Sequence, residues 1–291
     1  MNIVVCVKWV ISNDNAIKVE SGTIKDRGLY HVVNPYDLIA VDEAVRLKEL
    51  RNKGEVILVG MGPPSAERGL RRCLAIGADR GIILWDTTCE NSDSYATALI
   101  LAEAIRRLNY DLVLCGQKAV DVEEGWVGAI LAEFLNIPMI TAVTKIDIAS
   151  DGDNVVVHRK LEKGDREEVE ANLPALLTVE TGLNEPRYPS LRAIFGAQRK
   201  EIKEYNLKAL NLNLQQVGVK GSKTKIVAYS SPRPKPKKLF TPDSSLSAAE
   251  RISLIMSGGV TQKQGNLLQG DPEYIASNVV RFLSKQKLLP Q

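Results

Sequence analysis

Between residues 2 and 140 the chain alternates short runs of Val, Ile and Leu with segments whose apolar residues recur at helical spacing. The runs are "NIVVCVKWV" (2–10), "EVILVG" (55–60), "GIILW" (81–85) and "DLVLCG" (111–116). Each is apolar almost without interruption, as a parallel strand covered on both faces must be. Four helical segments separate or follow them. "NPYDLIAVDEAVRLKEL" opens with Asn34 as cap, Pro35 in the first turn and Asp37 near the positive end of the dipole, with Leu38, Val41 and Val45 on one face. "PSAERGLRRCLAIGAD" groups Leu70, Cys73 and Leu74 and stops at Gly77. "DSYATALILAEAIRRL" groups Ala98, Leu101, Ala102 and Ile105, and "EEGWVGAILAEFL" is the fourth. This order predicts an α/β fold: an open, mostly parallel twisted sheet with flanking helices and right-handed crossovers.

From residue 139 the pattern changes. "MITAVTKIDI", "NVVVHRKLE" and "REEVEANLPALLTVET" read as strands that continue the sheet with antiparallel additions, one hairpin turning near Lys163-Gly164. "LNEPRYPSLRAIFGAQRK" (183–200) begins with an arm stiffened by Pro186 and Pro189. Ser190 then caps a short helix carrying Leu191, Ile194 and Phe195, with Gly196 as its stop. The leading division is an α/β domain at 1–200 with this arm at 183–200, an extended arm or linker at 201–240 and a helical tail at 241–291. The tail is an expected docking element. It carries a Ser247–Glu250 capping box and, after Asp271 and Pro272, an Ile275, Val279 and Phe282 stripe.

Composition removes several function classes. Only His31 and His158 are present, so His-based triads and His-rich metal sites have little material, and no metal site is expected. Cys6, Cys73, Cys89 and Cys115 stand alone and read as free buried thiols. A net charge of +3, from 38 basic and 35 acidic residues, gives no nucleic-acid footprint. The basic excess lies in "SPRPKPKK" (231–238), a solvated linker without aromatics. No apolar run has the length of a membrane span, and the N-terminus has no targeting layout, so the expected location is cytoplasmic.

In an open parallel sheet, ligands sit beyond the carboxyl ends of the strands. Four segments share that edge: the end of strand one at Cys6 to Lys8, "NPYD" (34–37), "GMGPP" (60–64) and "GQKAVDVEEGWVG" (116–128). Neither GxGxxG nor GxxxxGK[ST] occurs. The last segment leads into a helix whose first turn is read to contain Gly125 and Gly128; free N–H groups there can hold a phosphate. Glu123 and Glu124 oppose an anion or complement the dipole. A purely structural loop, and a Trp126 packed at a surface rather than stacked on a ring, are the competing readings.

Taken together, "VKWV", "NPYDLIAVDEAVRLKE", "GPPSAERGLRRCLAIGADRGI", "DLVLCGQKAVD" and above all "RKLEKGDREEVEANLPALLTVETGLNEPRYPSLRAI" resemble the beta subunit of electron transfer flavoprotein over about residues 1–230. The resemblance implies an adenine nucleotide hydrolase-like fold and an obligate dimer with an alpha subunit. It implies electron transfer between acyl-CoA dehydrogenase-type flavoenzymes, as in fatty acid oxidation, and a membrane quinone oxidoreductase. The chain itself would be a carrier subunit rather than an enzyme, and not membrane-embedded.

The same resemblance places an adenine nucleotide, FAD or AMP, against Cys6, Asn34, Pro35, Tyr36, Asp37 and Met61. It adds the loop Gly116, Gln117, Lys118, Ala119, Val120, Asp121, Val122, Glu123, Glu124, Gly125, Trp126 and Val127. The helix start containing Thr97 resembles FAD-holding members and favours FAD. Leu191, with Tyr188 and Ile194, is implied as the anchor for the partner dehydrogenase; packing on its own subunit is the alternative. Departures fall in the loop and the tail: Gln117-Lys118 stands where many members read Lys-Gln, Glu124 where a small residue is usual, Trp126 where Gln is usual, and the tail beyond about residue 235 is longer than in short members. Two other functions compete: a subunit of an NADH-linked electron-bifurcating complex, and a stand-alone ATP-binding stress-type domain.

Overall fold

The computed structural model describes residues 1–15, 17–20, 22–24, 28–149, 152–230, 241–256 and 269–285. The chain divides into two units, Met1–Ser231 and Pro232–Gln291. The first opens with β1 (Ile3–Cys6), β2 (Trp9–Ile11), β3 (Val19–Glu20), β4 (Thr23–Ile24) and β5 (His31–Val33). It continues with α1 (Pro35–Arg51), β6 (Val56–Met61), α2 (Glu67–Ile76), β7 (Arg80–Leu84), α3 (Ser94–Ile105), β8 (Leu112–Gly116) and α4 (Val127–Leu135). Next come β9 (Met139–Ile148), β10 (Asn154–Lys160), β11 (Arg166–Asn172), β12 (Ala175–Val179), α5 (Leu191–Ala197), β13 (Ile202–Tyr205), α6 (Leu207–Leu210) and α7 (Gly218–Gly221).

Nine strands form the main sheet in the order β11-β10-β9-β12-β8-β1-β6-β7-β13. The seven from β9 to β13 pair in parallel, while β10 and β11 add an antiparallel hairpin. That hairpin turns at Lys163-Gly164, both at positive φ, as the sequence predicts. Alternation along β1 sends Ile3 and Val5 into the core shared with α1 and α2, and Val4 and Cys6 into the core shared with α3 and α4. The result is a sheet buried on both faces, which is why its strands are apolar throughout.

Four local expectations are corrected. The run 2–10 is not one strand. After Cys6 the Lys8 N–H turns to the Asp37 carboxylate, and Trp9–Ile11 pairs instead with His31–Val33. The segment "ALLTV" is not an antiparallel addition but an interior parallel strand, fully buried between β8 and β9. Residues 202–205 do not belong to an extended linker: β13 forms the sheet edge beside β7, and the compact unit runs to Ser231 rather than ending at 200. Gly196 lies inside α5, which continues to Ala197, so it is not a stop.

The second unit contains α8 (Ala248–Met256) and α9 (Pro272–Lys285). The capping box before α8 is formed: Glu250 accepts from the Ser247 hydroxyl (2.7 Å) and N–H (2.9 Å). The Pro/Lys-rich stretch 231–238 lies outside the described residues. Among the described residues, no helix is long and apolar enough to cross a membrane.

Candidate functional site

β1 sits centrally, with β6 and β7 on one side and β8 on the other, so the sheet reverses its winding direction at the β1–β8 boundary. A crevice beyond the carboxyl ends of these strands is the physical consequence, because their following loops diverge. It is a cleft of ≈ 680 Å³, within the range of small-molecule and cofactor sites. Cys6 ends β1 in its floor, Cys115 and Gly116 end β8, and Met61 ends β6.

Asn34 and Asp37 form the polar lock of the floor. Asn34 was expected to cap α1 with its side chain, but makes no such bond. Its amide instead donates to Asp37 Oδ1 (2.8 Å) and to the Lys118 carbonyl (2.9 Å), while its oxygen accepts from the Val120 N–H (3.3 Å). Asp37, likewise, is not merely a dipole complement. It is buried and accepts from the Lys8 N–H (2.8 Å) and the Gly116 N–H (3.2 Å). Burial pushes its carboxyl up to about 7, against the lowering effect of these donors. Gly116 is required there: a Cβ would lie 2.3 Å from Asp37 Oδ1 and 2.7 Å from the Tyr36 Cβ.

The loop 116–127 is pinned at several points. Gln117 Oε1 accepts from the Thr178 hydroxyl (2.5 Å) and the Ala142 N–H (2.9 Å), tying the loop to β12 and β9. Lys118 pairs with Glu123 (2.5 Å), which raises the lysine pKa, and Lys8 pairs with Asp121 (2.8 Å). Glu124 accepts from Ser94 on α3 (2.5 Å). Gly125 has φ +68 and precedes α4, which begins at Val127, so only Gly128 of the two glycines lies in the first turn. The first N–H groups of α4 have no intrahelical acceptor, leaving donors for an anion at the rim.

Most expected residues therefore meet in one cleft: Cys6, Asn34, Asp37, Met61 and Thr97 line it, as do Gly116 to Ala119, Val122 and Glu124 to Val127. Pro35, Tyr36, Val120, Asp121 and Glu123 do not line it; of these, Val120 bonds to Asn34, and Asp121 and Glu123 pair with Lys8 and Lys118. Trp126 is 57% exposed, available to a ligand or a partner rather than packed in the core. The buried thiol of Cys115 is held protonated and does not offer a nucleophile. A hydrogen bond to Cys6, burial and the nearby Asp37 charge all push Cys115 upward.

One wall was not anticipated. A strap at Thr224–Tyr229 lines the cleft together with Trp85 and the segment before α3. Asp93, the α3 cap, also accepts from the N–H groups of Lys223 (2.7 Å) and Thr224 (2.8 Å). Tyr229 N–H donates to the Gly22 carbonyl at the other end (3.0 Å). Burial raises Asp93, but its hydrogen bonds outweigh this and hold the carboxyl below the usual range. No periodicity marks residues 222–229 in the sequence; only tertiary hydrogen bonding brings them here.

On another part of the same unit, the arm before α5 is clamped to α1. Arg187 donates to Asp42 (2.5 Å) and Glu49 (2.8 and 3.2 Å), and Asn184 donates to the Ile39 carbonyl (3.1 Å). The Ser190 cap is formed, its hydroxyl accepting from Ala193 N–H (3.2 Å). The three expected docking residues are exposed: Tyr188 at 94%, Leu191 at 74% and Ile194 at 39%, with Phe195 at 71% beside them. Leu191 is thus not packed into its own subunit.

Among the described residues no group of His, Cys, Asp and Glu could hold a metal ion. The donors fit an anionic nucleotide instead. The loop glycine and the α4 terminus offer backbone N–H groups, the Glu124 carboxylate is engaged by Ser94, and Met61, Trp85 and Leu101 provide apolar wall.

Comparison with known proteins agrees with this architecture. Residues 21–210 match the electron transfer flavoprotein domain. The chain is 38% identical over 272 residues to an electron transfer flavoprotein subunit beta of Thermoanaerobacterium thermosaccharolyticum, covering 92% of this chain and 97% of that protein. It is 36% identical to the corresponding subunit of Bacillus subtilis, covering 88% and 98%. It is also 36% identical to the CarD subunit of the caffeyl-CoA reductase–Etf complex of Acetobacterium woodii, covering 80% and 88%. The chain belongs to the electron transfer flavoprotein family, as a subunit of the beta type.

Proposed function

We propose that this chain pairs with an alpha subunit to form a soluble, cytoplasmic electron carrier and holds an adenine nucleotide in the cleft above β1, β6 and β8. The observation that carries the reading is the Asn34 lock. One buried side chain fixes the start of α1, the Asp37 carboxylate and the Lys118–Val120 backbone together, which shapes a rigid floor beneath the N–H groups of α4. FAD is favoured over AMP, since α3 brings Thr97 to the cleft from the helix start that resembles FAD-holding members. When bound, a flavin supplies the redox chemistry; the chain's residues orient the nucleotide and shield it. The exposed Leu191, flanked by Tyr188 and Ile194, then docks an acyl-CoA dehydrogenase-type flavoenzyme, and electrons pass on to a membrane quinone oxidoreductase. A rigid arm suits brief, repeated docking because little side-chain and loop freedom is lost on contact.

Nucleotide content tests this directly. The chain is co-expressed with its alpha subunit, the purified dimer is denatured, and released FAD and AMP are quantified. Two FAD per dimer supports FAD in this subunit; one FAD and one AMP assigns AMP; an empty cleft with one FAD in total refutes the nucleotide reading. The likeness to CarD, named as part of a reductase complex, favours as second reading a subunit of an NADH-linked bifurcating assembly. NADH oxidation that requires two acceptors at once distinguishes it.

A further inference from the structure

A second concavity, of ≈ 750 Å³, lies between α2 and the arm, away from the nucleotide cleft. One wall is apolar and comes from Tyr188, Pro189 and Ile194. The facing wall is a stripe of α2 in which Arg68, Arg72 and Ala75 recur at i, i+4 and i+7. The guanidinium groups on this wall are not equivalent. Arg71 is consumed structurally: it pairs with Glu67 (2.9 Å) and donates to the carbonyls of Ala197 (2.9 Å) and Lys200 (2.6 Å), which fastens α5 to α2. Arg68 and Arg72 are exposed and, among the described residues, have neither a hydrogen bond nor an ion pair. Since Glu67 and Arg71 neutralise each other, the concavity carries the uncompensated charge of Arg68 and Arg72.

We propose that this concavity is an acidic-side-chain receptor: it takes Asp or Glu residues of the protein partner that docks on the arm. The inference rests on the docking role of Leu191 and adds the chemistry of the surface opposite. Tyr188, Pro189 and Ile194, which flank Leu191 on the arm, share the concavity with the guanidinium pair, so a partner that docks on the arm meets it with carboxylates beside its apolar contact. Arg is suited to this because its planar fork meets a carboxylate bidentately. Leu191 supplies contact area that salt does not weaken. Arg68 and Arg72 supply orientation and a faster encounter, and their contribution is screened by salt. The division of labour makes the two parts separately measurable.

The test uses the co-expressed alpha–beta dimer and a short fluorescein-labelled helical peptide of Leu, Ala and Glu, with a counterpart in which every Glu is Gln. Fluorescence anisotropy is expected to show the Glu peptide binding the wild-type dimer, more weakly as salt is raised. The double substitution Arg68→Gln and Arg72→Gln is expected to weaken it about tenfold. Both arginines are exposed, so the variant folds, and the pair Arg68→Lys with Arg72→Lys is expected to restore part of the affinity. Equal affinity of wild type and the Gln variant, no binding to wild type, or tighter binding of a labelled single-stranded oligonucleotide than of the Glu peptide overturns the proposal. Failure of the docking reading has a different signature. Leu191→Ala would then leave electron transfer from an acyl-CoA dehydrogenase unchanged, while charge-dependent peptide binding persists.

Discussion

The buried Asp37 makes the stability of this protein depend on pH in a calculable direction. Its carboxyl titrates at about 7 in the folded chain, against 3.8 for an ordinary aspartate. Between those values the folded state keeps a proton that the unfolded state has released. Unfolding therefore loses a proton, and stability declines as pH rises through the window, then levels above about pH 7. One pKa unit is about 1.4 kcal/mol, so the full window is worth about 4 kcal/mol, and the span from about pH 5 to pH 8 about 3 kcal/mol. Asp37→Asn removes the titration. Urea unfolding of the dimer, at fixed protein concentration, is expected to show the wild-type midpoint falling relative to the variant's by about 1 M across that span. Comparing the two curves cancels every other titrating group. The same carboxyl, read by its carbon chemical shift in aspartate-labelled protein, should have its midpoint near neutrality. Parallel stability curves for the two proteins from about pH 5 to pH 8 would refute the reasoning, and would mean that the Lys8, Asn34 and Gly116 donors outweigh burial.

Four further outcomes are expected. Asn34→Ala removes two donated bonds and one accepted bond at a buried position, costs about 2–3 kcal/mol in urea unfolding, and lowers the nucleotide recovered with the dimer. Gly116→Ala drives a methyl to within 2.3 Å of Asp37 Oδ1; destabilisation of about 1–3 kcal/mol is expected, with loss of nucleotide, measured by thermal melting and by extraction. Leu191→Ala, at a side chain 74% exposed, should change stability by less than about 0.5 kcal/mol while raising the KM for a reduced dehydrogenase, which steady-state kinetics reads. Asp93→Ala removes the α3 cap, costing about 1 kcal/mol, and unlatches Lys223 and Thr224; limited proteolysis within 222–230 should accelerate.

Much of the parallel sheet was legible because burial on both faces forces long apolar runs, and "EVILVG" or "DLVLCG" can hardly be anything else in water. The helix starts at Ser190 and at Ser247–Glu250 were legible because capping chemistry is local. What the sequence obscured has non-local causes. β13 has little apolar pattern because it is an edge strand, held by its pairing with β7. The strap at 224–229 earns its place in the cleft only through Asp93 and Gly22, more than a hundred residues away in the chain. Asn34 and Asp37 looked like a helix cap and a dipole partner; their bonds run instead to Lys8, Gly116, Lys118 and Val120, which no local rule could pair with them.

By itself the sequence determined the layer architecture, which loops leave the carboxyl edge of the sheet, and the presence of a capped apolar knob on a proline-stiffened arm. Each follows from periodicity or from backbone chemistry within a few residues. Tertiary structure alone decided which loops converge at the β1–β8 boundary, that Asp37 is buried rather than solvated, and that Arg71 is spent on α5 while Arg68 and Arg72 remain free beside the knob. Burial and pairing are properties of what approaches a side chain, and the approaching groups here come from distant parts of the chain.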